Sequence, residues 1–387
     1  MAVAKKKTDS RIITGIDVGT SKVCTIIARV DDQHEIDILG MGVSQCEGMK
    51  KGLVVDLDGV TRSIYRSVNE AEKMADFVVE RAFISISGAH VTSNSGHGVT
   101  NVLDPHSITG EDTRRAMEAT RYLMLPPDKE IIDIIGQEYV VDGHDGVRDP
   151  VGMSGSRLDI LVQIITGAST SIHNIVKCVQ RLDIAVKGLV PSSLAAGAAV
   201  LNDDEKEIGV VVMDIGAGTT DVAMFKKGGL CLARVLPVGG WQIDNDVAIG
   251  LSTSLAEAER VKVRAGKAFP DGIEESTPVE MKLVGREGMS QVPSGLLCEI
   301  IYPRVTEIFD MSLKELEQDQ PLVTVPAGVV ITGGSALLQG IGTVAEKVMN
   351  THIRIGAPRG VRSQQERIAS PVYSTAVGLI RCAAEKS

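Results

Sequence analysis

The stretch GIDVGTSKV, Gly15–Val23, interrupts an apolar run with an aspartate, a glycine and small polar residues, after which the chain resumes as VCTIIARV. Two β-branched runs flanking such a break read as strands joined by a tight turn. The pattern returns in MDIGAGTTDVAMF, Met213–Phe225, again with an aspartate closing the first run. A hairpin that opens each half of a chain points to a duplicated α/β unit.

The two turns share a chemistry. Successive backbone N–H groups in a tight turn form a concave anion site, and glycine lets the backbone come close. Gly19, Gly216 and Gly218 are the turn glycines; Thr20, Ser21, Thr219 and Thr220 add hydroxyls, and Lys22 adds a charge-assisted donor. Asp17 and Asp214 stand too near such phosphates to ligate them directly. They make sense with magnesium between, held through water. A DxG turn alone is ordinary hairpin chemistry. Two copies, with a third glycine turn TGGSA at Thr332–Ala336 behind the apolar run GVVI, favour a phosphate site. A P-loop is excluded, because that motif runs into a helix and here a strand follows.

The segment SLAEAERVKVRAG, Ser254–Gly266, has helical spacing, and Ser254 with Glu257 forms an S-x-x-E capping box that fixes the helix start. Glu259 and Lys262 then share a face. One reading is an intrahelical ion pair. The other is a nucleoside contact, with Glu259 accepting from ribose hydroxyls and Lys262 along the adenine. Beside three glycine turns the second is preferred.

Composition narrows the class. The chain has 387 residues, a formal charge of −10, 3% aromatics and a single tryptophan, Trp241. Both the negative charge and the lack of stacking rings argue against nucleic acid. The cysteines at 24, 46, 178, 231, 298 and 382 form no CxxC pair, which suggests buried thiols and a cytoplasmic protein. The start, MAVAKKKTDSR, is no secretory signal, and no apolar run approaches the roughly 20 residues needed to span a bilayer. The expected organisation is a disordered tail at 1–10, a first core subdomain (1A) at 11–87 and 167–206, and an inserted subdomain (1C) of short mixed elements at 88–166. A second core subdomain (2A) follows at 207–240 and 319–387, with a helical insertion (2B) at 241–318.

The quoted hairpins resemble the two phosphate motifs of the actin, heat-shock-chaperone and sugar-kinase superfamily, and GVVITGGSALLQGI resembles its adenosine motif. VLPVGGW and AEAERVKVRAG match its nucleotide-covering segments, and PVYSTAVGLI its second interdomain helix. Within the superfamily the chain resembles the FtsA family of bacterial cell-division proteins, through IGQEYVVDGHDGVRDPVGMSGSRLDILVQIITG, Ile135–Gly167, and through GMKKGLVVDLDGV, AEKMADF and IRIGAPRGV. The likeness runs from about Arg11 to Cys382.

This resemblance implies an α/β actin-like ATPase fold, with duplicated RNase-H-like halves and an FtsA-type subdomain inserted in each. It implies ATP and Mg in the central cleft, with Gly239 and Gly240 covering the nucleotide and Gly333, Gly334, Ser335 and Leu338 beside the adenosine. It further implies head-to-tail filaments, docking of the FtsZ C-terminal tail on the second insertion, at YPRVTEI with Arg304 and Glu307, and later division proteins on 1C. The location implied is the cytoplasmic face of the membrane at the division site.

Three departures stand out. Nothing after RCAAEKS has the family's amphipathic membrane helix, and the expectation is that such a tail is missing from this chain. Trp241 stands in GGW where GGN is usual. Val190 precedes Pro191 where the chaperone branch carries an acidic residue that positions the attacking water, which implies slow or negligible hydrolysis. The rival readings are a PilM-like pilus-assembly adaptor, which binds ATP and a membrane partner's peptide, and a sugar or acid kinase, for which no carboxylate base is evident.

Overall fold

The computed structural model describes residues 11–122, 125–270, 277–319 and 325–386. The expected tail at 1–10 lies outside them. Both quoted stretches are antiparallel hairpins. Arg11–Val18 pairs with Lys22–Val30, and Val210–Ile215 with Thr220–Lys226. In each the turn is closed by one backbone bond, from Gly19 N–H to the Lys22 carbonyl and from Gly216 N–H to the Thr219 carbonyl, both 2.9 Å.

The hairpins nucleate two sheets of one plan. In the first half, Ile36–Gln45 extends the hairpin antiparallel, while Arg81–Ile86 and then Ala185–Pro191 add in parallel on the other side. In the second half, Gly229–Leu236 takes the antiparallel edge, and Val329–Thr332 and Ile353–Ile355 the parallel one. The central strands are buried on both faces and read as near-continuous Val/Ile/Met runs, as strands covered on both sides do.

The helices do not stay with their own sheets. Ser192–Val200, at the end of the first half, packs on Val210–Ile215 and Thr220–Lys226, whereas Ser374–Lys386 packs on Arg11–Val18. The two helices cross in contact, and a Cβ on Gly378 would overlap the carbonyl oxygen of Ala195. The expected boundary of 2A at 319–387 is therefore corrected. Val361–Ser363 adds a sixth strand, parallel to Ile36–Gln45, and Ala376, Val377, Ile380 and Ala383 lie in the first half's core. The short apolar runs concerned carry no local signal of which sheet they join.

The insertion at 88–166 is also more regular than its texture suggested. Thr92–Asn101, Arg157–Ala168, Lys129–Val141 and His144–Val147 form one antiparallel sheet, covered by the helix Gly110–Ala119. Thr92–Asn101 reads TSNSGHGVTN, so polarity hid a ten-residue strand. In the second insertion, helices Gly240–Gly250, Leu255–Ala265 and Ser294–Asp319 accompany a short hairpin, Pro278–Met281 with Ser290–Pro293. Among the described residues no helix is long and apolar enough to cross a membrane.

Candidate functional site

Between the halves lies a cleft of about 860 Å³. Its walls are the two hairpin turns, the starts of helices Gly240–Gly250 and Ser374–Lys386, the helix Leu255–Ala265 and the turn after Val329–Thr332. Asp17, Gly19, Thr20, Ser21, Lys22, Asp214, Gly216, Gly218, Thr219, Gly240, Glu259, Lys262, Gly333, Gly334, Ser335 and Leu338 all line it. Thr220 and Gly239 do not.

The pleat explains Thr220. Alternate residues of a strand share a face, so Thr219 and Asp221 point to the cleft while the Thr220 hydroxyl donates to the Val238 carbonyl at 2.8 Å. Gly239 is a backbone spacer: a Cβ there would come within 2.6 Å of the Gly216 carbonyl oxygen. The turns themselves touch across the cleft, since a Cβ on Gly218 would lie 2.6 Å from Thr20 Oγ1.

Three carboxylates face the turns. Asp17 is buried and accepts from Ser85 Oγ at 2.7 Å, with Lys22 Nζ 3.9 Å away. Asp214 accepts from the Thr375 hydroxyl, and burial pushes its carboxyl up to about 6. Asp221 went unnoticed in the sequence. It stands opposite Asp214 in the ladder and accepts through Oδ2 from Ser87 at 2.8 Å and Thr219 at 3.1 Å. Burial, then the neighbouring Asp214 charge, raises its carboxyl to about 8, and its buried Oδ1 has no hydrogen-bond partner. The missed signal was register: counting back from the Gly216–Thr219 turn places residue 221 opposite 214.

These features suit a nucleotide with its cation. An orphaned carboxylate oxygen and three acids beside the phosphate turns, with Lys22 the lysine next to them, call for positive charge between them and an anion. Gly334 leaves open space, with no atom within 4 Å of where a Cβ would lie. Among the described residues no group of three or more His, Cys, Asp or Glu side chains is arranged to ligate a metal directly.

The nucleoside side differs in detail from expectation. Ser254 caps the helix Leu255–Ala265, accepting from Glu257 N–H at 3.3 Å, but the box is only half formed. The Glu257 carboxylate is taken by Arg260 at 2.7 Å and by Lys282 N–H at 2.7 Å, which holds it well down, to about 2. Lys262 pairs with Asp244 at 2.8 Å and donates to the Gly240 carbonyl at 3.1 Å, while exposed Glu259 faces the cleft unpaired with it. Trp241 is partly exposed at the same helix start and does not line the cleft.

Away from the cleft, Arg304 on Ser294–Asp319 is partly exposed but not free. It forks onto Asp246 at 2.5 and 3.0 Å and also binds Glu307. Those acids raise its already high pKa. Val190 is buried with Ala195 and Leu379, so this segment offers the cleft only Ser192.

Comparison with known proteins places this architecture. Residues 211–378 match the family model of cell division protein FtsA, and residues 88–166 match that of the SHS2 domain inserted in FtsA. A cell division protein FtsA from Neisseria meningitidis serogroup B is 39% identical over 374 residues, covering 96% of this chain and 90% of the relative. The chain belongs to the FtsA family. FtsA of Bacillus subtilis is 36% identical over 378 residues, covering 97% of this chain and 84% of the relative, and that of Escherichia coli 33% over 382, covering 97% and 91%. Among solved structures, a PilM–PilN type IV pilus biogenesis complex superposes with a TM-score of 0.67 at 15% identity, over 95% of this chain and 98% of that one. MreB5 of Spiroplasma citri bound to ADP superposes at 0.57 and 12% identity, over 97% of each. At such identities the structures establish the shared actin-like fold alone.

Proposed function

We propose that this FtsA-family protein binds ATP with magnesium in the interdomain cleft, polymerises head to tail, and links FtsZ and later division proteins to the cytoplasmic face of the membrane. The observation that carries the nucleotide part is the convergence of two duplicated glycine turns, three carboxylates and the Gly333–Ser335 turn on one cleft. Thr20, Ser21, Lys22, Gly218 and Thr219 would hold phosphates, and Asp17, Asp214 and Asp221 the cation through water. Glu259, Gly334, Ser335 and Leu338 would bound the nucleoside, with Lys262 keeping the wall in place through Asp244. The cation would neutralise phosphate charge, which is its usual contribution.

With Val190 buried and no carboxylate in its place, hydrolysis is slow, and the nucleotide serves as a clamp between the halves. Family membership supports the division partners, with the FtsZ tail on the second insertion near Arg304 and Glu307. Anisotropy of a labelled FtsZ C-terminal peptide, titrated with this protein in Mg-ATP, tests that assignment. Saturable binding lost in Arg304→Glu supports it; absence of binding by the folded, ATP-loaded protein contradicts it. A pilus-adaptor role has only fold likeness behind it.

A further inference from the structure

The inserted subdomain is fastened at its entry and along one face. Its entry, Ser87–Gly88, follows directly on the strand Arg81–Ile86, and Ser87 lines the cleft. Ser87 Oγ reaches across to the other half, donating to Asp221 Oδ2 at 2.8 Å. Gly88 has φ of +124°, a conformation only glycine adopts freely. It packs so closely on Gly52 that a Cβ there would lie 2.8 Å from the Gly88 Cα. Gly52 N–H in turn donates to Thr20 Oγ1 at 3.2 Å. Both phosphate turns thus converge on the same two residues, one through Asp221 and the other through Thr20.

The subdomain's sheet then grips the second half some distance from the cleft. Ala233 N–H, on the edge strand Gly229–Leu236, donates to buried Ser93 Oγ at 2.7 Å, and Gln137 Nε2 donates to the Leu230 carbonyl at 2.6 Å. Lys227 with Glu138 at 3.4 Å and Arg148 with Glu207 at 2.5 Å add ion pairs at the rim. The gripped edge strand is the ladder neighbour of the strand that carries Asp221, with Asp221 opposite Val235. A bare sheet edge needs a cover, but a cover need not belong to the other half of the molecule. Here it does, so the seat of the subdomain and the closure of the cleft share one set of contacts.

We propose that filling the cleft with nucleotide and seating the inserted subdomain on Gly229–Leu236 are coupled through Ser87–Gly88, so that each strengthens the other. The proposal rests on the nucleotide reading of the cleft. Ligand that draws the two turns together fixes Ser87 against Asp221 and Gly88 against Gly52, and the subdomain pivoting there is held on the edge strand. By thermodynamic reciprocity, ligand favours the seated subdomain by the same factor by which seating favours ligand, so a variant that loses the grip binds ligand more weakly.

The test has two measurements on the full chain. Amide exchange of the unmodified protein is followed with and without Mg-ATP; protection is expected at Ala233 and across Thr92–Asn101, none of which lines the cleft. Calorimetry then compares Mg-ATP binding by the unmodified protein and by Ser93→Ala/Gln137→Ala, which is expected to bind about 5-fold or more weakly, at the lower end of ordinary coupling. If the double variant does not fold, the exchange result decides alone. Binding of Mg-ATP with unchanged exchange at these sites overturns the coupling and leaves the nucleotide reading standing. No binding by the unmodified protein overturns both.

Discussion

Asp214 and Asp221 stand directly opposite one another across the second hairpin, both turned to the cleft. Like charges in that position repel, and neither has a cationic partner within salt-bridge distance among the described residues. Thr375 donates to the first and Ser87 and Thr219 to the second, and one oxygen of Asp221 is left unpaired. The first hairpin has no such pair, because Cys24 occupies the place opposite Asp17. The duplicated turns have therefore diverged in charge, and the second is the one that needs a cation.

This pair makes stability depend on pH in the absence of ligand. With its carboxyl raised to about 8 from an ordinary 3.8, folded Asp221 holds a proton that the unfolded chain releases. Its contribution to stability is thus undiminished below about pH 4 and declines as pH rises towards 8. Thermal melts in EDTA should show Asp221→Asn melting higher than the unmodified protein by roughly 3 °C or more at pH 8, with no gain at pH 4. A variant less stable at pH 8 would mean that the carboxylate is already satisfied.

How much of this was legible beforehand followed from how local each signal was. The hairpins, the glycine turns and the helix start at Ser254 are written in short windows, and the cleft assembles around them. The Thr-Thr pair offers two hydroxyls to the turn, but the pleat turns only one of them inward, and Thr220 faces Val238 instead. Asp221 required register, Lys262 found an acid 18 residues upstream, and Val361–Ser363 joined a strand more than 300 residues earlier in sequence. The last two are pairings between distant segments that no short window of sequence contains, whereas Asp221 lies inside the quoted hairpin and needed only the register of its turn.

The crossing of the two interdomain helices is a close backbone approach at Gly378. Gly378→Val should destabilise the protein by about 3 kcal/mol, as overpacking of a tight site does. Urea unfolding would measure it. An unchanged midpoint would show that the helices can separate without cost.

Arg304 already has two acids, so an acidic peptide must compete for it. If the peptide docks there, Glu307→Gln removes one competitor and should tighten binding by about 3-fold, while Arg304→Glu abolishes it. Weaker binding in Glu307→Gln would indicate that Glu307 contacts the peptide itself.

Burial of Val190 leaves its segment without a carboxylate near the phosphate turns. Steady-state phosphate release from Mg-ATP should fall below about 1 s⁻¹, the lower end of kinase turnover. Faster release would require a water-positioning group elsewhere in the cleft, with Asp221 the first to substitute.

The central claim is that the cleft holds a nucleotide between the halves, and Gly334 offers the most direct test. A Cβ there meets no atom within 4 Å beyond its chain neighbours, and Gly334 lines the cleft, so Gly334→Val should leave the fold intact and obstruct a ligand. Calorimetric titration with Mg-ATP should give saturable binding to the unmodified protein and at least about tenfold weaker binding, some 1.4 kcal/mol, to a variant with the same melting temperature. Equal affinity in the two folded proteins would contradict the account.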